Sequence, residues 1–493
     1  MDRRRFFHYS IAAAVASSLP YGRLWAAQIA GDVAAVKGAG GATTLAASDL
    51  QHLRDSLRGA LLLAGDPGYD EARRVRSESI NRHPALIIQP SGVADVRTAV
   101  DFARTKELLL AVKGGGHSYS GRSTCDGGLQ LDLSSFRDVR IDPVGRTAYV
   151  AGGSLLGEVD HEAMSLGLVT PSGTVSHTGV GGLTLGAGFG RLARRFGLAV
   201  DNVKAVDIVN ADGRVRHASA HENPDLYWAV RGGGGNFGVV TSFEFALHAM
   251  PRQVIGGRLV FPIDRAPDLL RAYAEISHSA PDELYVDAIM TSPRGQPGVF
   301  LFDTCYSGPA SDAEKAFASL RKLGKPLQDT IGPVDYVALQ RSGDRTDPRN
   351  EGEYLKSGFI DEFPGKLVQT ILDGYHTDPG RGTTVFFQQS GGAIGRVRAD
   401  ATAFPHRRSL NNMFTSVTWA LDADSATHIS YAKALWKSLE PYTDGYYTNE
   451  VGNEGQSVVD ANYQGNLPRL RAVKKQYDPG NLFRLNANIL PAV

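Results

Sequence analysis

Cysteine is almost missing from this chain. Two cysteines in 493 residues, Cys125 and Cys305, cannot form a disulfide framework, and no Cys/His cluster has the spacing of zinc ligands. They fall in different predicted domains, which leaves one interdomain bridge open, but free, buried thiols are expected. Net charge is missing as well. Lys+Arg and Asp+Glu both number 52, so the chain lacks the basic footprint that nucleic acid or an anionic membrane surface requires. Past residue 27 no apolar run is long enough to span a bilayer. No Walker loop occurs, because no glycine turn is followed by Gly-Lys-Ser/Thr. No strand-to-helix GxGxxG has an acid about 20 residues on, which excludes a Rossmann fingerprint. These absences leave a neutral protein with a small-molecule ligand.

The first 27 residues read as a segment outside the fold. Arg3-Arg4-Arg5-Phe6-Phe7 precedes a short apolar run, Ile11–Leu19, and Ala26-Ala27 offers a cleavage point. This is the pattern of a twin-arginine export signal read by the Tat translocon. It implies a periplasmic or secreted protein with no membrane span after signal removal.

The remaining length calls for more than one domain. Residues 28–78 read as a polar lead-in with a helix near Asp49–Leu63. Ala85–Gln89 reads as a buried strand, Ser91 as an N-cap, Val93, Val96, Val100 and Ala103 as a helix face, and Leu109–Lys113 as the next strand. Asn210-Ala211-Asp212-Gly213 marks a hairpin between Ala205–Val209 and Val215, and Val239–Leu247 closes the region as a strand. Beyond residue 251 the alternating segments Gly256–Phe261, Leu284–Met290, Val299–Tyr306, Thr383–Gln389 and Phe414–Trp419 predict a largely antiparallel sheet. Helices are expected at Ala266–His278, Asp312–Leu323, Ser425–Leu439 and Leu467–Lys475. The fold class is α+β.

Glycine is abundant, with 56 residues, many clustered between residues 114 and 238. The apolar strand ending at Lys113 runs into Gly114-Gly115-Gly116-His117-Ser118-Tyr119-Ser120-Gly121. Such glycines expose successive backbone N–H groups and admit a bulky anion, the way proteins cradle a pyrophosphate. A second array runs from Gly173 through His177-Thr178-Gly179-Val180-Gly181-Gly182-Leu183 to Gly190, and a third is Arg231-Gly-Gly-Gly-Gly235-Asn236-Phe237-Gly238-Val239. Three arrays imply a long ligand lying against backbone, such as a dinucleotide.

Together with Gly391-Gly392-Ala393…Phe404-Pro405-His406-Arg407 and the terminal Tyr463…Tyr477-Asp478-Pro479, these motifs resemble the FAD-linked oxidases typified by vanillyl-alcohol oxidase, in the berberine-bridge-enzyme-like branch. The resemblance covers nearly the whole mature chain. It implies a PCMH-type FAD-binding domain over 79–250, an inserted substrate domain over 251–454 lying over the flavin, and a C-terminal segment, 455–493, completing the FAD domain. The cofactor contacts it implies are Lys113, Gly114, Gly115, Gly116, His117, Ser118, Gly121, Gly173, Val175, Thr178, Gly179, Gly181, Gly182, Gly186, Gly188, Asn236, Gly238, Val239, Asn449 and Tyr463.

His117 matches the family histidine that bonds covalently to the flavin. Relatives that add a cysteine link carry it where this chain has Val175, so a single covalent attachment is expected. Leu183 replaces a histidine that plant relatives often carry, and Ala187 replaces the usual middle glycine of the later glycine triplet. Thr178 falls at the position thought to gate oxygen, which favours an oxidase producing H2O2 over a dehydrogenase with another acceptor; a flavin-retaining binding protein is the non-catalytic alternative. The family reaction is hydride transfer from a C–OH or C–N carbon, with a base taking the accompanying proton. Tyr447 and Tyr463 are the expected bases, Gln388 is expected over the flavin, His177 is read as a surface or core histidine, and His406-Arg407 as interdomain support. A phenol needs its pKa lowered by neighbours to serve as base near neutrality.

Overall fold

The computed structural model describes residues 29–346, 350–450, 452 and 454–493. The export segment read in the sequence lies outside them. Three β-sheets of four or more strands organise the described residues, beside two two-stranded ones. A four-stranded sheet carries the first glycine array. In it, Leu86–Gln89 and Leu110–Lys113 both pair in parallel with Leu129–Asp132, which therefore lies between them. The helix Val93–Thr105 crosses between the outer two and buries Val96, Ala99, Val100 and Ala103, an apolar stripe at helical spacing. Ser91 does not cap it. Gly92 holds the N-cap position, and Ser91 instead donates from its N–H and Oγ to Asp95.

The lead-in differs from its sequence reading. Its helix is Ala47–Ser56, and Ala60–Leu62 forms a strand on the edge of the four-stranded sheet. Leu45, Leu50, Leu53 and Leu57 share that sheet's core. Isolated leucines among polar residues conceal a segment that packs on one face only.

A five-stranded antiparallel sheet holds Val203–Val209, Val215–Ser219 and Val239–Ala246. Its core is completed from the far end of the chain, by Val459, Leu470, Val473, Tyr477 and Ile489. Lys474, wholly buried, donates to Asp478, to Asn236 O and to Phe483 O, tying the helix Leu467–Tyr477 to the third glycine array.

Residues 253–420 build an eight-stranded antiparallel sheet, flanked by the helices Ala266–Ser279, Gly365–Gly374 and Ser425–Leu439. Its edge strand Glu351–Ile360 escaped the sequence reading, since Gly352 and Gly358 interrupt its alternation. The helix expected over Asp312–Leu323 is broken into three short turns. Buried ion pairs join the two bodies: Arg407 to Asp201 at 2.8 Å, Arg191 to Asp303 at 3.0 Å and Arg76 to Glu353 at 2.6 Å.

Candidate functional site

Strand ends and glycine turns meet at one cavity between the two bodies. A Cβ on Gly115 would fall on the backbone of Gly179, and one on Gly179 would fall on Gly115, so the first two arrays touch backbone to backbone. Gly116 and Gly121 have φ of 69° and 70°, conformations open to glycine. Around this contact the cavity wall contains Gly114, Gly115, Gly116, His117, Ser118, Gly173, Val175, Thr178, Gly179, Gly181, Gly182, Asn236, Gly238, Val239, Asn449 and Tyr463.

Lys113, Gly121, Gly186 and Gly188 stand behind that wall. Lys113 turns inward, donating from Nζ to Ala72 O at 2.6 Å, with Asp132 at 3.5 Å. Gly121 O accepts from Arg82. Gly186 leaves the space that the Asn449 amide fills, and Gly188 has φ 82°. His177 is half-buried with its ring centroid 5.2 Å from that of His117. His406 binds Asn462 O at 2.9 Å, beside the Arg407–Asp201 pair.

The wall suits a bound FAD. It is rich in glycine along three arrays, and among the described residues its one carboxylic acid is Glu450, so a pyrophosphate would meet N–H dipoles rather than like charge. Asn236, fully buried, donates to Gly233 O and Ala487 O and accepts from Ile489 N, which fixes the third array. Neither cysteine belongs to the wall: Cys125 and Cys305 are free and buried, their thiols pushed up to about 12 by burial.

Tyr447, Tyr463 and Gln388 all line the cavity. The Tyr447 hydroxyl accepts from Gly188 N at 3.1 Å and from Asn449 Nδ2 at 2.9 Å. Burial, with Glu450 nearby, raises its pKa above the ordinary phenol value, opposite to what a base near neutrality needs. Tyr463 is likewise raised by burial; its hydroxyl has no hydrogen-bond partner. Gln388 Oε1 accepts from Asn412 Nδ2 at 3.3 Å.

Two ionisable wall residues escaped the sequence reading. Arg122 follows the first array and donates to Gly452 O at 2.9 Å; burial lowers its pKa, while Tyr446, Tyr463 and Glu454 oppose that shift. Glu450 accepts from Asn412 Nδ2 at 2.6 Å, and burial pushes its carboxyl up to about 7 against that bond. Glu450 directly follows Asn449, yet nothing local marks it as half-buried in the cavity wall.

Comparison with known proteins agrees with this geometry. The family described as FAD binding domain matches residues 84–219, and the family described as Berberine and berberine like matches residues 446–490. An FAD-linked oxidoreductase of Dictyostelium discoideum is 32% identical over 443 residues, covering 89% of this chain and 96% of that protein. The solved structure of 6-hydroxy-D-nicotine oxidase from Arthrobacter nicotinovorans superposes with a TM-score of 0.82 at 27% identity, over 89% of this chain and 99% of the other. Chitooligosaccharide oxidase superposes with a TM-score of 0.81 at 25% identity, over 90% and 99%. The chain is therefore an FAD-linked oxidoreductase and belongs to the berberine-bridge-enzyme-like branch of the vanillyl-alcohol oxidase superfamily.

Proposed function

We propose that the protein oxidises a small-molecule substrate at a C–OH or C–N carbon, with FAD held by a single covalent bond through His117, and with O2 as final acceptor. One observation carries the reading: three glycine arrays, His117 and a set of substrate-side polar groups (Gln388, Glu450 and Tyr463) face the same cavity. FAD, when bound, supplies the hydride acceptor and passes the electrons to O2, giving H2O2. The backbone N–H groups of Gly114–Gly116 and Gly179–Gly182 would hold its pyrophosphate, and Asn236 keeps the third array in place behind it. Gln388 and Tyr463 orient the substrate by hydrogen bonding. The single link is supported by Val175, a hydrocarbon side chain in the wall where a thioether would need sulfur. Oxygen as acceptor is supported by Thr178, a modest side chain lining the cavity, and by similarity to proteins named as oxidases.

Export is proposed on Arg3-Arg4-Arg5 and the short apolar run that follows. Among the described residues no helix is long and apolar enough to cross a membrane. Replacing all three arginines by lysine should leave the protein in the cytoplasmic fraction.

The central test is a denaturing gel viewed under ultraviolet light after acid treatment, with His117→Ala alongside. A fluorescent band that vanishes in the variant supports the link, and peroxide release on substrate addition supports the oxidase. A dark wild-type band overturns the covalent link, and reoxidation of reduced enzyme by O2 at the rate of free flavin overturns the oxidase.

A further inference from the structure

We propose that Glu450 is the catalytic carboxylate, that Asn412 is its positioning residue, and that the substrate is an amine which Glu450 binds as its ammonium form and then deprotonates. The inference deepens the reading given above and rests on it.

Among the described residues Glu450 is the one carboxylic acid in the cavity wall, which otherwise presents His117, Arg122 and the phenols Tyr119, Tyr447 and Tyr463 as ionisable groups. Its side chain has one hydrogen-bond partner, Asn412 Nδ2 at 2.6 Å, and forms no ion pair among the described residues. A carboxylate withdrawn from water without a cation is costly; Glu450 is half-buried, and the desolvation that raises its pKa is opposed by the Asn412 bond alone. Asp303 pairs with Arg191 and Asp478 with Lys474, while the buried acids that form no ion pair among the described residues, Asp95, Asp160 and Asp287, lie outside the cavity wall. Glu450 is left without a counter-charge in the cavity wall. An ammonium group supplies it; an alcohol does not.

Asn412 acts from behind the wall. It stands opposite Gln388 on the paired strands Arg381–Gln389 and Asn411–Ala420. Its amide nitrogen donates to both Glu450 Oε2 and Gln388 Oε1, so one buried side chain fixes two cavity-facing groups. A carboxylate only accepts, which requires the amide nitrogen to face Glu450. The neighbouring Tyr447 is occupied by Gly188 and Asn449 and its burial keeps it a neutral phenol, so it does not compete as proton acceptor.

The step balances. An N–H proton of the bound ammonium passes to a Glu450 oxygen, which frees the nitrogen lone pair. That pair forms the C=N bond as the α-carbon loses its hydrogen as hydride to the FAD of the proposed function. The amine is oxidised by two electrons to an iminium ion, FAD is reduced, and water releases the proton from Glu450.

Three isosteric pairs test this on the flavin-loaded enzyme: benzylamine against benzyl alcohol, cyclohexylamine against cyclohexanol, and cyclopentylamine against cyclopentanol. Binding is read as perturbation of the flavin absorbance, without turnover. At least one amine should bind about tenfold or more tightly than its alcohol, the scale of one charge-assisted contact. Its affinity should rise as the pH passes upward through about 7 and level off until the amine itself loses its proton. Glu450→Gln should abolish both the preference and the pH step while keeping the flavin spectrum. Asn412→Asp should shift the pH step upward, since a second carboxylate beside Glu450 disfavours its ionisation. Equal or better binding of the alcohols, no perturbation by any amine, or an unchanged pH step in Glu450→Gln overturns the proposal. Wild-type protein that carries no flavin would instead overturn the functional reading on which it rests.

Discussion

The hydroxyl of Tyr447 accepts a hydrogen bond from the backbone N–H of Gly188 at 3.1 Å, across 259 positions of sequence. Asn449 adds a second, from Nδ2 at 2.9 Å, and donates to Leu183 O at 3.1 Å. The Tyr447-Thr448-Asn449 segment is thus a clasp on the second glycine array. Gly186 leaves the room that Asn449 occupies.

Tyr447→Phe should therefore act on stability and flavin retention. The change leaves the Gly188 N–H and one Asn449 donor buried without an acceptor, a loss of about 1–3 kcal/mol. Chemical denaturation should show a lower midpoint, and dialysis a faster loss of any flavin not covalently held. The pH profile of flavin reduction should stay in place. A profile that loses its basic limb in the variant would return Tyr447 to the role of base.

Ala187 sits at φ 137° and ψ −53°, a region that an L side chain enters only under strain. It is fully buried between Gly186 and Gly188. Ala187→Gly should stabilise the protein by about 1 kcal/mol, the low end of the strain for such a residue. A matched pair of denaturant titrations measures it; an unchanged or lowered midpoint contradicts the strain.

Asp160 is wholly buried where the two bodies meet, accepting from Ser172 and Gln340 at 3.4 Å each. Burial pushes its carboxyl up to about 7 against those bonds and the nearby Arg191. The folded state therefore binds the proton more tightly than the unfolded chain does. Between about pH 4 and pH 7 folding takes up a proton, so Asp160 subtracts stability as pH rises through this window. Asp160→Asn removes that contribution. The variant should melt higher than wild type at pH 8 and match it near pH 4; a lower melting point at pH 8 would mean that the ionised carboxylate is the stabilising form.

Thr178 lines the cavity beside the junction of the first two arrays. Thr178→Ile adds bulk there with the same β-branching. Reoxidation of reduced enzyme by O2, followed by stopped flow, should slow by about tenfold, equal to about 1.4 kcal/mol of barrier. An unchanged rate would place the oxygen path elsewhere.

Much of the cofactor half was legible because its requirement is local. Where Gly115 meets Gly179, only residues without a side chain fit, and that need is written directly as glycine. The strand ending at Lys113, the helix after Gly92 and the hairpin at Asn210–Gly213 were legible for the same reason, since periodicity and turn chemistry act over a few residues. Lys113 shows the limit: its position at the strand end is readable, but its inward turn to Ala72 O depends on a partner 41 residues away.

By itself, then, the chain's order of residues determined the glycine cradle, the histidine beside it, the antiparallel character of residues 253–420 and the valine, rather than a cysteine, at position 175. Tertiary structure alone decided how the polar groups of the cavity are held. Tyr447 became a clasp because Gly188 meets it, and Glu450 became a half-buried acid in the cavity wall held by Asn412, 38 positions earlier, from behind it. Ionisation and hydrogen-bond demand depend on what surrounds a group in space, and those surroundings are assembled from segments that the sequence keeps far apart.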